Sequence, residues 1–298
     1  MDNQQSAEEL GQRRMPCWQS KITDRTVWLK LMWVCVCVLA CSSTTSHGGE
    51  LVINKILANS SVAVLPERIA PVDWAELRNR SDQELDISGM GLSDRLDLPD
   101  RWVFPPGSIV RAREAIIVIF TDSIPPSTSP VPYMNTGFGL SAGGDVLLLS
   151  SVSGGLWTTE DSVGFGFQAQ DWPIGRVPDG TGSWQLVAFA PKELNRAVAL
   201  GYPSALRINE WMADPSSGDD WFELCNLAAA PLAVGGLYLS DDRKLPTRHR
   251  IPDLSFIGTG EYGFALFVAD GDVSKGARHV NFKLGKRGSP ILLTAADG

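Results

Sequence analysis

Short apolar or alternating runs, each bounded by Gly, Pro or Asp, make up most of the chain after residue 50. Typical examples are residues 115–120 (AIIVIF), 145–149 (DVLLL) and 261–268 (EYGFALFV). No window of about 11 residues or more in this part has the apolar spacing of an amphipathic helix. Many short strands at intervals of about 8–15 residues, with polar turns between them, indicate an all-β fold built as β-sandwiches.

The one long apolar run near the N-terminus is residues 31–40 (LMWVCVCVLA), which follows Lys30. It is shorter than the roughly 20 residues that span a bilayer, but it has the length of the core of an export signal. The run leads into Val38-Leu39-Ala40-Cys41, which resembles the lipobox of bacterial lipoproteins. We therefore predict an export signal over residues 1–41, with Cys41 as the candidate lipidation site.

Residues 42–49 (SSTTSHGG) are small and polar, as expected of a flexible tether. Two alternatives to lipidation stay open: an ordinary cleaved signal, and an uncleaved segment that holds the protein in the membrane. The true start is also open between Met1 and Met15, because the stretch from Met15 is itself a basic lead-in to the apolar run. Each alternative predicts an exported protein, either secreted or anchored at the cell envelope.

An internal repeat organises the rest of the chain, since four blocks recur in one order at a spacing of about 145–155 residues. This duplication predicts a first unit over residues 50–190, a linker over 191–205 and a second unit over 206–298. The matched blocks are LVINKI (51–56) with LRINEW (206–211), DWAELRN (73–79) with DWFELCN (220–226), GMGLSD (89–94) with GLYLSD (236–241), and FGLS (138–141) with FKLG (282–285).

The two units are unequal, because the first continues well past the strand that ends at Ser150 and the second stops soon after the matching Thr294. The extra part of the first unit holds two strand-like runs, within residues 159–168 and 184–189. We therefore expect the second unit to be a truncated sandwich with unpaired strand edges and exposed apolar surface. The first unit is expected to fold alone.

In the block DWFELCN, period-two geometry places Phe222 and Leu224 on one face of a strand and Trp221, Glu223 and Cys225 on the other. The ordered pattern LxINE, DWxELxN, GxxLSD and NFxL resembles the bacterial lamin tail domain, with Lys55 and Ala75 as departures in the first unit. The resemblance implies two immunoglobulin-like β-sandwiches used as non-catalytic interaction modules, with no cofactor and no catalytic residues. Its signature positions, expected to be structural, are Asn54, Asp73, Trp74, Glu76, Leu77 and Asn79 in the first unit and Asn209, Asp220, Trp221, Glu223, Leu224 and Asn226 in the second.

Net charge narrows the choice of partners. The chain carries a formal charge of −8, and its first 41 residues hold five Lys or Arg against four Asp or Glu, so the remainder carries −9. A body without an excess of basic residues has no field to attract nucleic acid. We expect no nucleic-acid partner; the partner is an unidentified protein or cell-envelope component, and contact with a membrane comes from the lipid anchor or the signal segment.

Few residues could supply chemistry. Asp214, Asp219, Asp220 and Glu223 form an acidic group that is the one calcium hypothesis, although structural roles in a turn and a strand are favoured for Asp220 and Glu223. The histidines His47, His249 and His279 are expected at the surface without zinc-ligand spacing. Cys225 is expected to be a half-buried, inert thiol, and it is the one cysteine outside the first 41 residues, so no disulfide framework can form in the body.

These observations favour a non-catalytic exported surface protein. One alternative is that the chain is the N-terminal fragment of a multidomain secreted hydrolase whose catalytic domain is missing. Another is a carbohydrate or cell-wall binding module, which requires a pair of exposed tryptophans on one sheet face.

Overall fold

A computed structural model describes residues 49–63 and 71–297. The predicted signal, Cys41 and most of the tether lie outside these described residues. The described part is almost entirely strand and turn, which confirms the predicted all-β class. Its helical turns are three short 3₁₀ segments, at Pro203–Ala205, Gly260–Tyr262 and Val273–Lys275, and within it we find no helix with the length and apolar character needed to cross a bilayer.

The first unit is a sandwich of a six-stranded and a four-stranded sheet, joined by a two-stranded ladder. The strand orders are β12-β11-β1-β2-β7-β8, β10-β9-β4-β5 and β3-β6. The strands are β1 (Leu51–Leu57), β2 (Asp73–Asn79), β3 (Leu85–Asp86), β4 (Gly91–Ser93), β5 (Trp102–Val103), β6 (Ile109–Val110), β7 (Ala115–Phe120), β8 (Met134–Asn135), β9 (Asp145–Ser153), β10 (Leu156–Phe165), β11 (Ile174–Val177) and β12 (Ser183–Leu186).

The second unit repeats this arrangement with fewer strands. Its strand orders are β13-β14-β19, β17-β16-β20 and β15-β18. The strands are β13 (Leu206–Met212), β14 (Trp221–Asn226), β15 (Leu232–Ala233), β16 (Tyr238–Ser240), β17 (His249–Arg250), β18 (Phe256–Ile257), β19 (Phe264–Val268) and β20 (Leu292–Thr294).

The pairing of strands matches between the units. β13-β14-β19 corresponds to β1-β2-β7, β17-β16-β20 to β5-β4-β9, and β15-β18 to β3-β6. A parallel bridge between Val268 and His279 stands where β7 pairs with β8. Within the described residues, β10, β11 and β12 have no counterpart in the second unit, so β13 has a strand neighbour on one edge, whereas β1 has one on each edge.

Each unit contributes one phenylalanine to the hydrophobic core of the other. Phe256 of the second unit is buried in the core of the first, among residues such as Leu147 and Ile174. Phe167 of the first unit is buried in the core of the second, with its ring 5.6 Å from that of Phe267. The two units therefore stabilise each other by burying apolar surface.

Backbone hydrogen bonds join the same two segments. Gly166 N donates to Asp253 O at 2.9 Å, and Phe256 N donates to Phe167 O at 3.0 Å. Gln168 Nε2 donates to Leu254 O at 2.7 Å. A Cβ at position 166 would lie 1.9 Å from the Ser255 hydroxyl oxygen, so glycine is required for this close approach.

The segment between the units packs on the first one. Ala188 N donates to Arg196 O at 2.9 Å, and Val198 N donates to Leu186 O at 3.0 Å. Asn195 is buried. The first part of the expected linker, residues 191–198, thus belongs to the ordered body of the first unit.

We predict that Gly166→Ala lowers the free energy of unfolding by about 1–3 kcal/mol, because the added methyl group has no space between the units. Thermal or urea unfolding of the purified protein measures the change. Gly164→Ala is the matched control, since a Cβ there meets no atom within 4 Å. Equal destabilisation by the two substitutions would contradict the proposed close contact at Gly166.

Candidate functional site: a polar cluster that is buried in one unit and open in the other

In both units a β-bulge brings an asparagine side chain to a glutamate on the neighbouring strand. The register of β1 against β2 shifts between Ile53 and Lys55, and the extra residue is Asn54. The register of β13 against β14 shifts at the equivalent place, where the extra residue is Asn209. A bulge re-aims the side chain of its extra residue, and in both units the asparagine amide then reaches a carboxylate on the neighbouring strand.

The asparagine–glutamate contact has the same length in the two units. Asn54 Nδ2 donates to Glu76 Oε1 at 2.8 Å, and Asn209 Nδ2 donates to Glu223 Oε1 at 2.8 Å. Four signature residues that the sequence analysis singled out are thus brought together in pairs. The pairs fix the position of the bulge relative to the next strand.

In the first unit this contact belongs to a cluster that is closed to solvent. Lys55 Nζ lies 3.4 Å from Glu76 Oε2, and both side chains have no exposed surface. Lys55 Nζ also donates to Ala190 O at 2.7 Å and to Glu193 O at 3.1 Å. Lys192 N donates to Glu76 Oε2 at 2.8 Å. Charge pairing and these additional hydrogen bonds together compensate for the loss of water around both ions.

The chain that covers the cluster comes from β11, β12 and the residues after them. Gly180 N donates to Asn54 Oδ1 at 2.7 Å. Asn195 Nδ2 donates to Asn54 O at 3.1 Å and to Arg176 O at 2.9 Å. Residues far apart in sequence therefore close the site, and β11 pairs with β1 directly at Lys55 and Ile56.

In the second unit the equivalent bulge and its asparagine–glutamate pair are exposed to solvent. Asn209 and Glu210 are exposed and Glu223 is half-buried. Glu210 takes the place of Lys55, and the strand register puts it directly opposite Glu223. Two carboxylates on directly opposite residues of antiparallel strands repel each other. The arrangement therefore lacks the cation that the first unit supplies from Lys55.

The other paired signature residues build turns and core in both units. Asn79 Nδ2 donates to Gln83 O and Val110 O, and Asn226 Nδ2 donates to Ala230 O and Gly258 O. Each asparagine thereby ties the end of its strand to the next turn and to the two-stranded ladder. Leu77 and Leu224 are fully buried in their cores.

The aspartate position has equivalent backbone partners in the two units, whereas the tryptophan position differs in burial. Burial raises the pKa of Asp73 to about 6, although hydrogen bonds from the backbone of Ser60 and Leu140 act to lower it. Trp74 is fully buried with the ring of Phe189 at 6.2 Å, whereas Trp221 is half-buried. The first unit thus covers the outer face of its sheet, and the second does not.

Three of the four residues of the calcium hypothesis, Asp214, Asp220 and Glu223, already have partners within the fold. Asp220 accepts hydrogen bonds from Asp214 N at 2.7 Å and from Leu284 N at 3.1 Å. Asp214 pairs with Lys286, and Glu223 is bonded to Asn209. Across residues 49–63 and 71–297, no three His, Cys, Asp or Glu side chains converge on a point where a metal ion could bind.

The expectation that the histidines are ordinary surface residues is wrong for His249. It is buried on β17, and burial lowers its pKa. Its Nε2 has no hydrogen-bond partner within the part of the chain that is described. Residue patterns do not reveal this burial, because a two-residue strand has too few positions to show which side faces the core.

A charged group around Asp270 was not found from the sequence. Its carboxylate accepts from Lys275 Nζ at 2.7 Å and lies 3.0 Å from His279 Nδ1. Burial acts to raise the pKa of Asp270, but hydrogen bonds from Lys275, the Asp272 amide and His279 outweigh it and hold the pKa well below its usual range. The three side chains come together through a turn that periodicity does not predict.

Lys275 and His279 line a cleft of about 370 Å³ between the two units, and a neighbouring cleft of about 220 Å³ shares Arg278 with it. Ser274 is in the same wall, but its hydroxyl donates to Asp272. Within the described residues, no serine or cysteine side chain bonds to His279. The group therefore has an acid–base pair without the nucleophile that acyl-transfer chemistry needs.

Cys225 is more buried than the sequence analysis expected. Burial, together with the nearby charge of Glu223, raises the pKa of its thiol, which disfavours the reactive thiolate. Among the described tryptophans, Trp211 is the one with a largely exposed side chain, at 62%. The described residues therefore do not supply the exposed tryptophan pair that a carbohydrate-binding face requires.

We predict opposite sensitivities for the two equivalent glutamates. Glu76→Gln should lower the free energy of unfolding by about 3–5 kcal/mol, because it leaves the buried Lys55 ammonium without its counter-charge. Glu223→Gln, the matched control, should change it by less than about 1 kcal/mol, since that site is open to water and the substitution removes a repulsion with Glu210. Urea unfolding measures both values, and similar losses for the two variants would refute the difference in burial.

The chain was compared with family models, with curated proteins and with solved structures, and none of them matches it.

Proposed function

We propose that the protein is a non-catalytic, exported surface protein, anchored by a lipid at Cys41, whose two β-sandwich units serve as interaction or structural modules. The apolar run at residues 31–40 that follows Lys30 and the lipobox-like sequence Val38-Leu39-Ala40-Cys41 support this location. The short polar tether that follows would hold the body away from the membrane surface.

One observation carries the proposal for the body. The side chains that the two units share by position form their hydrogen bonds within the fold, as Asn54 does with Glu76 and Asn226 with Gly258. Because these shared residues bond to other parts of the fold, they support a duplicated structural role rather than a duplicated reaction centre. What differs between the units is the surface that each frame presents, and differences at the surface favour a role in binding.

A lipid anchor predicts a specific response to substitution at Cys41. Cys41→Ser should abolish labelling by radioactive palmitate and release the protein from the membrane fraction, because each buried CH₂ of a lipid chain contributes about 0.8 kcal/mol to membrane binding. Cys37→Ser is the matched control, since Cys37 lies four residues before Cys41 in the apolar run, and it should leave labelling and partition unchanged. Absence of label from the parent protein, with unaltered partition of Cys41→Ser, would refute the lipid anchor.

A further inference from the structure

The outer edge of β13 is an unpaired strand edge whose counterpart in the first unit is paired. β1 pairs with β2 on one side and with β11 on the other, whereas β13 pairs with β14 alone among the described strands. An unpaired edge presents a row of N–H and C=O groups that can accept a further strand. Addition of an extended peptide to such an edge is a recurring mode of recognition.

Apolar side chains at this edge are exposed where their counterparts are buried. Trp211 is 62% exposed and Met212 is 44% exposed. The residues at the same register positions of β1 are Ile56 and Leu57, which are 1% and 0% exposed. On β19 of the same sheet, Phe264 is 47% exposed and Leu266 is 41% exposed. The register places Met212, Phe264 and Leu266 on the face of the sheet that carries Glu223, whereas Trp211, which is opposite the buried Phe222, lies on the other face. A strand that added to β13 would remove apolar area on both sides of this edge from water.

The charges at the edge specify the occupant further. The first unit has one carboxylate and one ammonium at this point, Glu76 and Lys55, and the second has two opposed carboxylates, Glu223 and Glu210. Glu210 forms no hydrogen bond or ion pair within the described part of the chain. A positive charge supplied from outside would turn this repulsion into attraction.

We propose that the edge of β13 binds an extended segment of a partner protein, antiparallel to β13, with a Lys or Arg side chain placed against Glu210 and Glu223. The pairing of β11 with β1 at Lys55 and Ile56 is the template, so the partner segment pairs at Glu210 and Trp211. The inference rests on the proposed function as an interaction module and names its surface and the chemistry of its partner. A second copy of this chain is disfavoured in the register that places its Glu210 opposite the Glu210 of the first copy, because the two carboxylates repel each other.

Fluorescence anisotropy with two labelled 12-residue peptides of alternating Val and Thr tests the proposal on the full-length protein. One peptide carries a central Lys, and the other carries Glu at the same place. The Lys peptide should bind at least about tenfold more tightly than the Glu peptide. Glu210→Lys restores the charge pair of the first unit and should weaken binding of the Lys peptide by about tenfold or more, and Glu210→Gln should give an intermediate loss.

Glu84→Lys is the matched control, because it makes the same change of charge at an exposed turn of the first unit. It should leave the affinity for the Lys peptide within about twofold of the parent value. Equal affinity for the two peptides, no measurable binding of the Lys peptide, or an unchanged affinity in Glu210→Lys would each overturn the proposal. Self-association in sedimentation that Glu210→Lys changes, without peptide binding, would assign the edge to a second copy and would also overturn the proposal.

The outcomes also separate this inference from the proposed function. Failure of peptide binding, with palmitate labelling of Cys41 intact, would remove the docking surface and leave the exported module. Absence of labelling, with peptide binding intact, would remove the anchor and leave the docking surface.

Discussion

The carboxylate of Glu76 has no exposed surface, and the free-energy cost of burying it is the constraint on which the first unit depends. A buried charge is tolerated when an opposite charge and further hydrogen bonds replace the lost water. Lys55 supplies the charge, and Asn54 and the Lys192 amide supply hydrogen bonds. The lysine in turn needs the carbonyls of Ala190 and Glu193, so the strands and turns after β10 are held over β1 by the same network.

The second unit has the same bulge and asparagine–glutamate pair, but no described strand covers them. Its bulge and its asparagine–glutamate bond are kept, but Glu210 stands in place of the lysine and the strand edge is free within the described residues. An open frame tolerates two carboxylates because water screens them, whereas a closed one would not. The change from Lys55 in the first unit to Glu210 in the second therefore fits the difference in burial. It also gives the unpaired edge of β13 a preference for positive charge.

Much of the fold could be predicted from residue patterns, because period-two alternation is a local property. The run at 115–120 is β7, and the blocks DWAELRN and DWFELCN contain β2 and β14. The partners of those residues could not be predicted, since they depend on contacts between distant segments. The exchange of Phe167 and Phe256 between cores and the covering of Lys55 by residues near 190 are of this kind. His249 and the group around Asp270 were missed for the same reason.

The central claim is that the outer edge of β1 is covered by β11 in the first unit, whereas the equivalent edge of β13 is uncovered among the described strands of the second. Amide hydrogen exchange on β1 (Leu51–Leu57) and β13 (Leu206–Met212) in a single sample tests it most directly, because both strands are then measured under identical conditions. The account predicts strong protection of the β1 amides that face β2 and of those paired with β11 near Lys55 and Ile56, and fast exchange at those β13 amides that point away from β14. Equal protection of the two strands would contradict it.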